Sequence, residues 1–337
     1  MGIGGASGEV LALEGDLRVG TLLELKGLRK YFSIETGFLR KVRVDLKAVD
    51  GVSFGIEEGE TFGLVGESGC GKTTIGKVIL RLYGATSGEI FFRGEEVTHL
   101  EGVALDEYRK NIQAVFQNPY ASLNPRMRIW RLIGEPLIVK GWSRQEVREK
   151  VEELLELVML PVDCGSRFPH EMSAGQRQQI AIARALSINP KFIVLDEPTS
   201  LLDVSAQASI LNMIVELQKK LELTYLFISH NLAVVRFLSS RVGVMYCGKL
   251  VEMAESRKLY LGPRHPYSQA LLASVLAPDP EAVGKEIVLE GDVISPINPP
   301  AGCRFYTRCR EVKGDCKEKE PPLVEIEPNH FVACHLV

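Results

Sequence analysis

The chain has 337 residues, a formal net charge of −3, and 45% hydrophobic and 25% charged residues. This is the composition of an ordinary globular protein with length for two folding units, and the near balance of charge gives no electrostatic reason to expect a nucleic-acid partner. No apolar run approaches the roughly 18 residues that a membrane span requires, so the chain is not expected to cross a bilayer itself.

Taken in order, residues 1–20 are glycine-rich and expected to be disordered. The opening MGIGGASGEV lacks the basic and apolar regions of a secretion signal, and Ala6 stands where myristoylation requires Ser or Thr. A cytosolic chain is the expectation. Leu22–Lys26 reads as a first strand, and the alternation of Val42, Val44 and Leu46 with Val52, Phe54 and Ile56 suits antiparallel strands. The apolar run Thr61–Val65 reads as a buried strand leading into Gly66-Glu67-Ser68-Gly69-Cys70-Gly71-Lys72-Thr73-Thr74 and a helical pattern from Thr73 to Tyr83. Strand, glycine-rich turn and helix is the context of a phosphate-binding P-loop. Gly66, Gly69 and Gly71 let successive N–H groups turn toward phosphate oxygens, and the helix N-terminus adds partial positive charge. Lys72 can then reach the β- and γ-phosphates, and the Thr73 hydroxyl can ligate Mg²⁺.

Ser87–Gly94 is a further strand closed by turn glycines, and Ile112–Phe116 is a short strand ending at Gln117-Asn118-Pro119. From there the pattern turns helical, with a capping box at Ser143 and Glu146 and one apolar face from Val147, Val151, Leu154, Leu155 and Val158. A helical subdomain at about 118–185, inserted into an α/β core, fits this stretch. The core resumes at Lys191–Leu195, a buried parallel strand that delivers Asp196 and Glu197 to the edge where open α/β sheets bind ligands. Asp196 can hold Mg²⁺ through water, and Glu197 can polarise the attacking water. A helix over 205–221 leads to the strand Tyr225–Ile228 and then Ser229-His230, while Arg241–Tyr246 and Lys249–Glu252 bracket Cys247-Gly248 as a hairpin.

Between the two halves of this site lies Met172-Ser173-Ala174-Gly175-Gln176, which opens a helical run to Leu186 and lets Ser173 cap it. The order Gly66–Thr74, Gln117, Ser173–Gln176, Leu195–Glu197, Ser200–Asp203 and His230 resembles the nucleotide-binding subunit of an ABC transporter, over about residues 21–335. That family usually has Leu-Ser-Gly-Gly-Gln in the signature, so Ala174 is a departure while Ser173 and Gly175 are kept. The resemblance implies a P-loop NTPase (RecA-like) α/β core with an antiparallel β subdomain and an inserted α-helical subdomain. It further implies an ATP site shared between two subunits: the triphosphate on one P-loop is closed over by Ser173, Gly175 and Gln176 of the other. His230 resembles the switch histidine contacting the γ-phosphate and Glu197. Gln117 resembles the Q-loop residue linking Mg²⁺ and the attacking water to the helical subdomain. Asp203 resembles the D-loop residue crossing the dimer interface, and the spacing after Lys30 puts the adenine platform at Phe32 ahead of Tyr31.

Beyond the hairpin come His265-Pro266-Tyr267, a proline-bearing linker (Pro296, Pro299, Pro300), and Cys303, Cys309, Cys316 and Cys334. In a reducing compartment four such thiols suggest a metal, and their spacing leaves iron–sulfur, tetrahedral zinc and unpaired thiols all open. This tail resembles that of the oligopeptide/dipeptide importer ATPases, a subgroup that also includes nickel and oligosaccharide importers. The resemblance implies a [4Fe–4S] cluster on the four cysteines and a small metal-stapled extension; His330 and His335 are candidate ligands, placed as neighbours ahead of that role. The expected units are 1–20, an ATPase domain at 21–262, and the extension at 263–337. The implied role is the ATPase of a binding-protein-dependent importer at the cytoplasmic face of the membrane. Its expected partners are a second ABC ATPase subunit (a paralogue or a copy of itself), two transmembrane permease subunits and an extracytoplasmic substrate-binding protein. Two rivals are a soluble ABC ATPase working on nucleic acid or ribosomes, and an ATP-dependent iron–sulfur assembly factor. The first commonly carries two cassettes or a long coiled-coil insertion, and neither is present.

Overall fold

The computed structural model describes residues 20–36, 42–273, 291 and 294–337, so the disorder expected of the N-terminal extension falls outside them except at Gly20. Two sheets organise the described residues. The smaller is antiparallel, in the order β2-β1-β4-β5, from β1 (Thr21–Thr36), β2 (Val42–Glu57), β4 (Ser87–Phe92) and β5 (Glu95–Glu96). The expected first strand, Leu22–Lys26, is only the start of β1. Its register shifts between Leu25 and Arg29, with Gly27 at φ 54°, and this bulge hides the continuing strand from a period-two pattern.

The larger sheet runs from β11 (Val324–Glu327) through β12 (His330–Val332) and β10 (Lys249–Glu255) to β9-β3-β8-β7-β6. Its parallel half comprises β6 (Ile112–Val115), β7 (Phe192–Asp196), β8 (Thr224–Ile228), β3 (Thr61–Val65) and β9 (Arg241–Tyr246). β3, β7 and β8 are buried at every position, which is why they read as unbroken apolar runs rather than alternating ones. The sheets face each other through Phe54 and Phe62, stacked at 4.7 Å and 3° between their planes, a pair worth about 1 kcal/mol beyond its buried area.

The helix after the P-loop, α1 (Lys72–Ile79), stops short of the expected Tyr83. Arg81 takes a left-handed φ of 55°, and the N–H groups of Leu82 and Tyr83 turn back to the Lys77 carbonyl. α2 (Gly102–Asn111) precedes β6. The inserted helical region holds α3 (Pro119–Ser122), α4 (Ile129–Val139), α5 (Arg144–Leu157) and α6 (Ala174–Leu186). The Ser143–Glu146 capping box forms with both hydrogen bonds, and Val147, Val151, Leu154 and Leu155 are buried along α5 as the periodicity predicts. α7 (Val204–Leu221) and α8 (Leu232–Leu238) flank β8.

The C-terminal region is built into the core sheet. After β10 (Lys249–Glu255), α9 (Ser256–Leu261), α10 (Pro266–Ala273) and α11 (Asp315–Glu318), the chain returns as β11 (Val324–Glu327) and β12 (His330–Val332). β12 pairs antiparallel with β10 through Val332–Glu252 and Phe331–Met253, so the sheet runs across the expected boundary at residue 262. Among the described residues no helix is long and apolar enough to cross a membrane.

Candidate active site

The P-loop leaves the C-terminal end of β3, and the neighbouring strands β8, β7 and β6 point the same way. Parallel pairing therefore brings four strand ends to one edge. Two glycines are required outright. A side chain at Gly66 would put its Cβ 2.2 Å from the Met245 carbonyl oxygen, and one at Gly71, held at φ 108°, would put it 2.2 Å from that of Ala48. Gly69 also has positive φ, at 80°, but faces open space beside Ser68. Lys72 is buried, and its ammonium donates to the loop carbonyls of Gly66 at 2.7 Å and Glu67 at 2.9 Å. Burial raises the pKa of the Cys70 thiol, with Lys72 opposing.

Thr73 Oγ1 donates to Asp196 Oδ1 at 3.0 Å, so the two expected Mg²⁺ donors stand together as hard oxygen groups. Burial pushes Asp196 above the usual carboxylate range, against the Thr73 hydrogen bond that lowers it. Its neighbour Glu197 sits in the left-handed region at φ 49°, a strained conformation of the kind found at working sites. The Glu197 N–H donates to the Ile228 carbonyl at 2.9 Å, tying β7 to β8. Its carboxylate accepts from Gln117 Nε2 at 2.9 Å and lies 3.1 Å from His230 Nδ1. Gln117, Glu197 and His230, which the sequence spreads over more than a hundred positions, thus meet at three adjacent strand ends.

Other expected site residues stand apart. Ser173 is exposed and caps α6: its hydroxyl accepts from the Gln176 N–H, and Gln176 Oε1 accepts from the Ser173 N–H. Gly175 lies in the first turn of that helix and packs toward Ala206, while Asp203 caps α7 through the Ala206 N–H at 2.9 Å. Among the described residues no hydrogen bond or ion pair joins this signature to the P-loop. Phe32 is half-buried, edge-on to Tyr83 at 5.3 Å, with Lys30 Nζ 5.0 Å from its ring. Tyr31 is instead committed to structure. Its hydroxyl donates to Asp50, and burial first, then that bond, pushes its pKa up to about 12.

Sequence reading missed how the C-terminal region reaches this site. Tyr267 Oη accepts from the Glu67 N–H, and Arg308 pairs with the Glu67 carboxylate. Arg304 reaches Asp50 and the Cys247 carbonyl, and the His330 ring is spent on buried Glu252, Nε2 to Oε1 at 2.7 Å. His335 Nε2 lies 3.0 Å from the Lys319 carbonyl. The His-Pro-Tyr run and the cysteines were visible, but a lone arginine carries no such signal. Side-chain pairs and the β10–β12 ladder hold the extension in the described residues. The four tail cysteines are free thiols, Cys316 buried and Cys303, Cys309 and Cys334 half-buried. Burial lifts Cys303 to about 11 and raises Cys309 and Cys334 as well. Among the described residues no group of three or more His, Cys, Asp or Glu is arranged to hold a metal ion.

Comparison with known proteins sharpens the assignment. Residues 49–200 match the family described as ABC transporter, and residues 251–316 match the oligopeptide/dipeptide transporter C-terminal region. The oligopeptide transport ATP-binding protein AppF of Bacillus subtilis is 52% identical over 320 residues, 94% of this chain and 97% of that protein. A dimeric ATP-binding cassette, MJ0796, solved in a post-hydrolysis state with ADP and Pi, aligns with a TM-score of 0.62 at 28% identity, covering 70% of this chain and 99% of that one. The fold is also that of cbiO1 from Clostridium perfringens, part of an ABC transporter complex, with a TM-score of 0.62 at 23% identity over 72% of this chain and 92% of that one.

Proposed function

The chain belongs to the ABC transporter family, in its oligopeptide/dipeptide branch, and from that premise we propose that it is the ATP-hydrolysing subunit that powers a peptide importer. The observation that carries this is the convergence on Glu197, with Gln117 and His230 on its carboxylate and the Thr73–Asp196 pair beside it. ATP enters along Gly66–Thr74, and Lys72 leaves the loop carbonyls for the β- and γ-phosphates. Thr73 and Asp196 would hold the Mg²⁺ that accompanies ATP, which would supply neutralisation of charge on the phosphate oxygens. Glu197 accepts the proton of the attacking water, held in aim by Gln117 and His230. Phe32 stacks the adenine.

The exposed Ser173, with Gly175 and Gln176 at the N-terminus of α6, closes over the triphosphate of a second ATPase subunit, and Asp203 lies at that interface. Two permease subunits and an extracytoplasmic binding protein complete the transporter, with this chain peripheral at the cytoplasmic face. The cassette is residues 21–262 and the extension 263–337. Peptide is favoured over oligosaccharide or nickel by the name of the relative at 52% identity.

The number and chemistry of the tail thiols fit a [4Fe–4S] cluster, and Cys303, Cys309, Cys316 and Cys334 are its proposed ligands. The group would tie the tail covalently; its ligands must first lose protons that burial holds on. Anaerobically purified protein should contain iron and sulfide. Zinc alone would replace the cluster by a zinc site, and neither metal would leave free thiols. The function itself is tested by uptake in cells carrying Lys72→Ala. Labelled oligopeptide uptake should be lost with oligosaccharide and nickel uptake unchanged, whereas unimpaired peptide uptake would refute the proposal.

A further inference from the structure

Glu67, inside the P-loop, is held from the C-terminal region at two points. Its N–H donates to Tyr267 Oη at 2.9 Å, and its carboxylate takes Arg308 as a two-pronged pair, Nη1 to Oε2 at 2.7 Å and Nη2 to Oε1 at 3.0 Å. Neither partner is a surface group: Tyr267 is 0% exposed and the Arg308 side chain 7%. One aromatic cluster seats both. The Tyr267 ring lies 4.7 Å from Tyr246 and 5.4 Å from Phe305, and the Arg308 N–H donates to the Phe305 carbonyl. Tyr267 is anchored in turn by its own N–H to His265 Nδ1, and the His265 N–H by the buried Glu252 carboxylate. The third tether on Glu67 is Lys72, on its carbonyl.

From this geometry we propose that the C-terminal region sets the nucleotide site, with Tyr267 and Arg308 as positioning residues that hold Glu67, and through it the phosphate-binding loop, in the shape that accepts ATP. The proposal rests on Gly66–Thr74 being the ATP site. When ATP draws Lys72 away, the Glu67 carbonyl keeps only the Cys70 N–H of its own loop, at 3.3 Å, and Tyr267 and Arg308 are the tethers that remain from outside the loop. Arg308 has a second effect. It matches the charge of a carboxylate inside an anion-binding loop, where a free carboxylate would repel the triphosphate. This gives the His-Pro-Tyr run and the arginine before Cys309 a task in the ATPase cycle.

The test measures ATP affinity on the purified full-length chain, and KM and kcat with the partner ATPase present. Arg308→Ala should weaken ATP binding and raise KM about tenfold, with kcat changed far less, and Tyr267→Phe about threefold. Adding Glu67→Gln to Arg308→Ala should recover most of the loss, because the unmatched charge is gone; a merely structural role predicts no such rescue. Arg264→Ala, which removes an exposed tail pair with Glu327, should leave affinity unchanged. Wild-type affinity in both Arg308→Ala and Tyr267→Phe would overturn the clamp, as would an equal loss in Arg264→Ala, and failure of the Glu67→Gln rescue would overturn the charge-matching role of Arg308. Should Arg308→Ala not fold, Tyr267→Phe and Arg308→Lys carry the same comparison, with Lys keeping charge but losing the fork. Full ATP binding by Lys72→Ala would instead refute the ATP site on which the clamp rests.

Discussion

Glu197 shows how much a single position draws from its surroundings: a left-handed backbone, a hydrogen bond to the next strand, and Gln117 and His230 on its carboxylate. At this scale the P-loop glycines separate two costs. Gly69→Ala meets only an unfavourable φ, about 1 kcal/mol, because nothing lies within 4 Å of its would-be Cβ. Gly71→Ala meets the same strain and also the Ala48 carbonyl at 2.2 Å, so the backbone must shift. Thermal melts should therefore fall clearly further for Gly71→Ala, and equal shifts would contradict the stated close approach. Lys72, Thr73, Asp196 and Glu197 were legible because phosphate chemistry dictates both residue type and spacing. Arg308 was not, since its partner lies 241 positions away and an arginine fits a solvated surface equally well.

Among the elements, the apolar strands and the capped helix α5 could be read from their periodicity, while the bulged β1 and the C-terminal strands β11 and β12 could not. β12 is only three residues long, and what makes it a strand is the open edge of β10, a partner that local pattern does not contain. The turn before α10 carries a pH signature. Burial holds His265 down to about 4 from 6.5, so the folded chain keeps it neutral where the unfolded chain is already protonated. Its contribution is therefore fully present above pH 6.5 and is lost as pH falls toward 4, amounting to about 3 kcal/mol at about 1.4 kcal/mol per unit. Protonation also removes the Nδ1 acceptor that Tyr267 uses. Melting temperatures between pH 7 and 4.5 should fall more steeply for the unsubstituted chain than for His265→Asn, and parallel slopes would remove His265 as the cause.

At the scale of the whole molecule, one edge of the larger sheet gathers the P-loop, Asp196, Glu197, Gln117 and His230, while Ser173 and Asp203 cap helices without bonding to that set. On the proposed reading, a subunit built this way completes its site against a second one, and the catalytic step falls to Glu197. The most direct test is ATP turnover and bound nucleotide in Glu197→Gln, assayed with the partner ATPase present. The carboxamide keeps the shape and loses the base. ATP should stay bound and intact in the paired subunits, with turnover reduced about a hundredfold or more. Hydrolysis near the unsubstituted rate would contradict the assignment of Glu197 as the group that activates water.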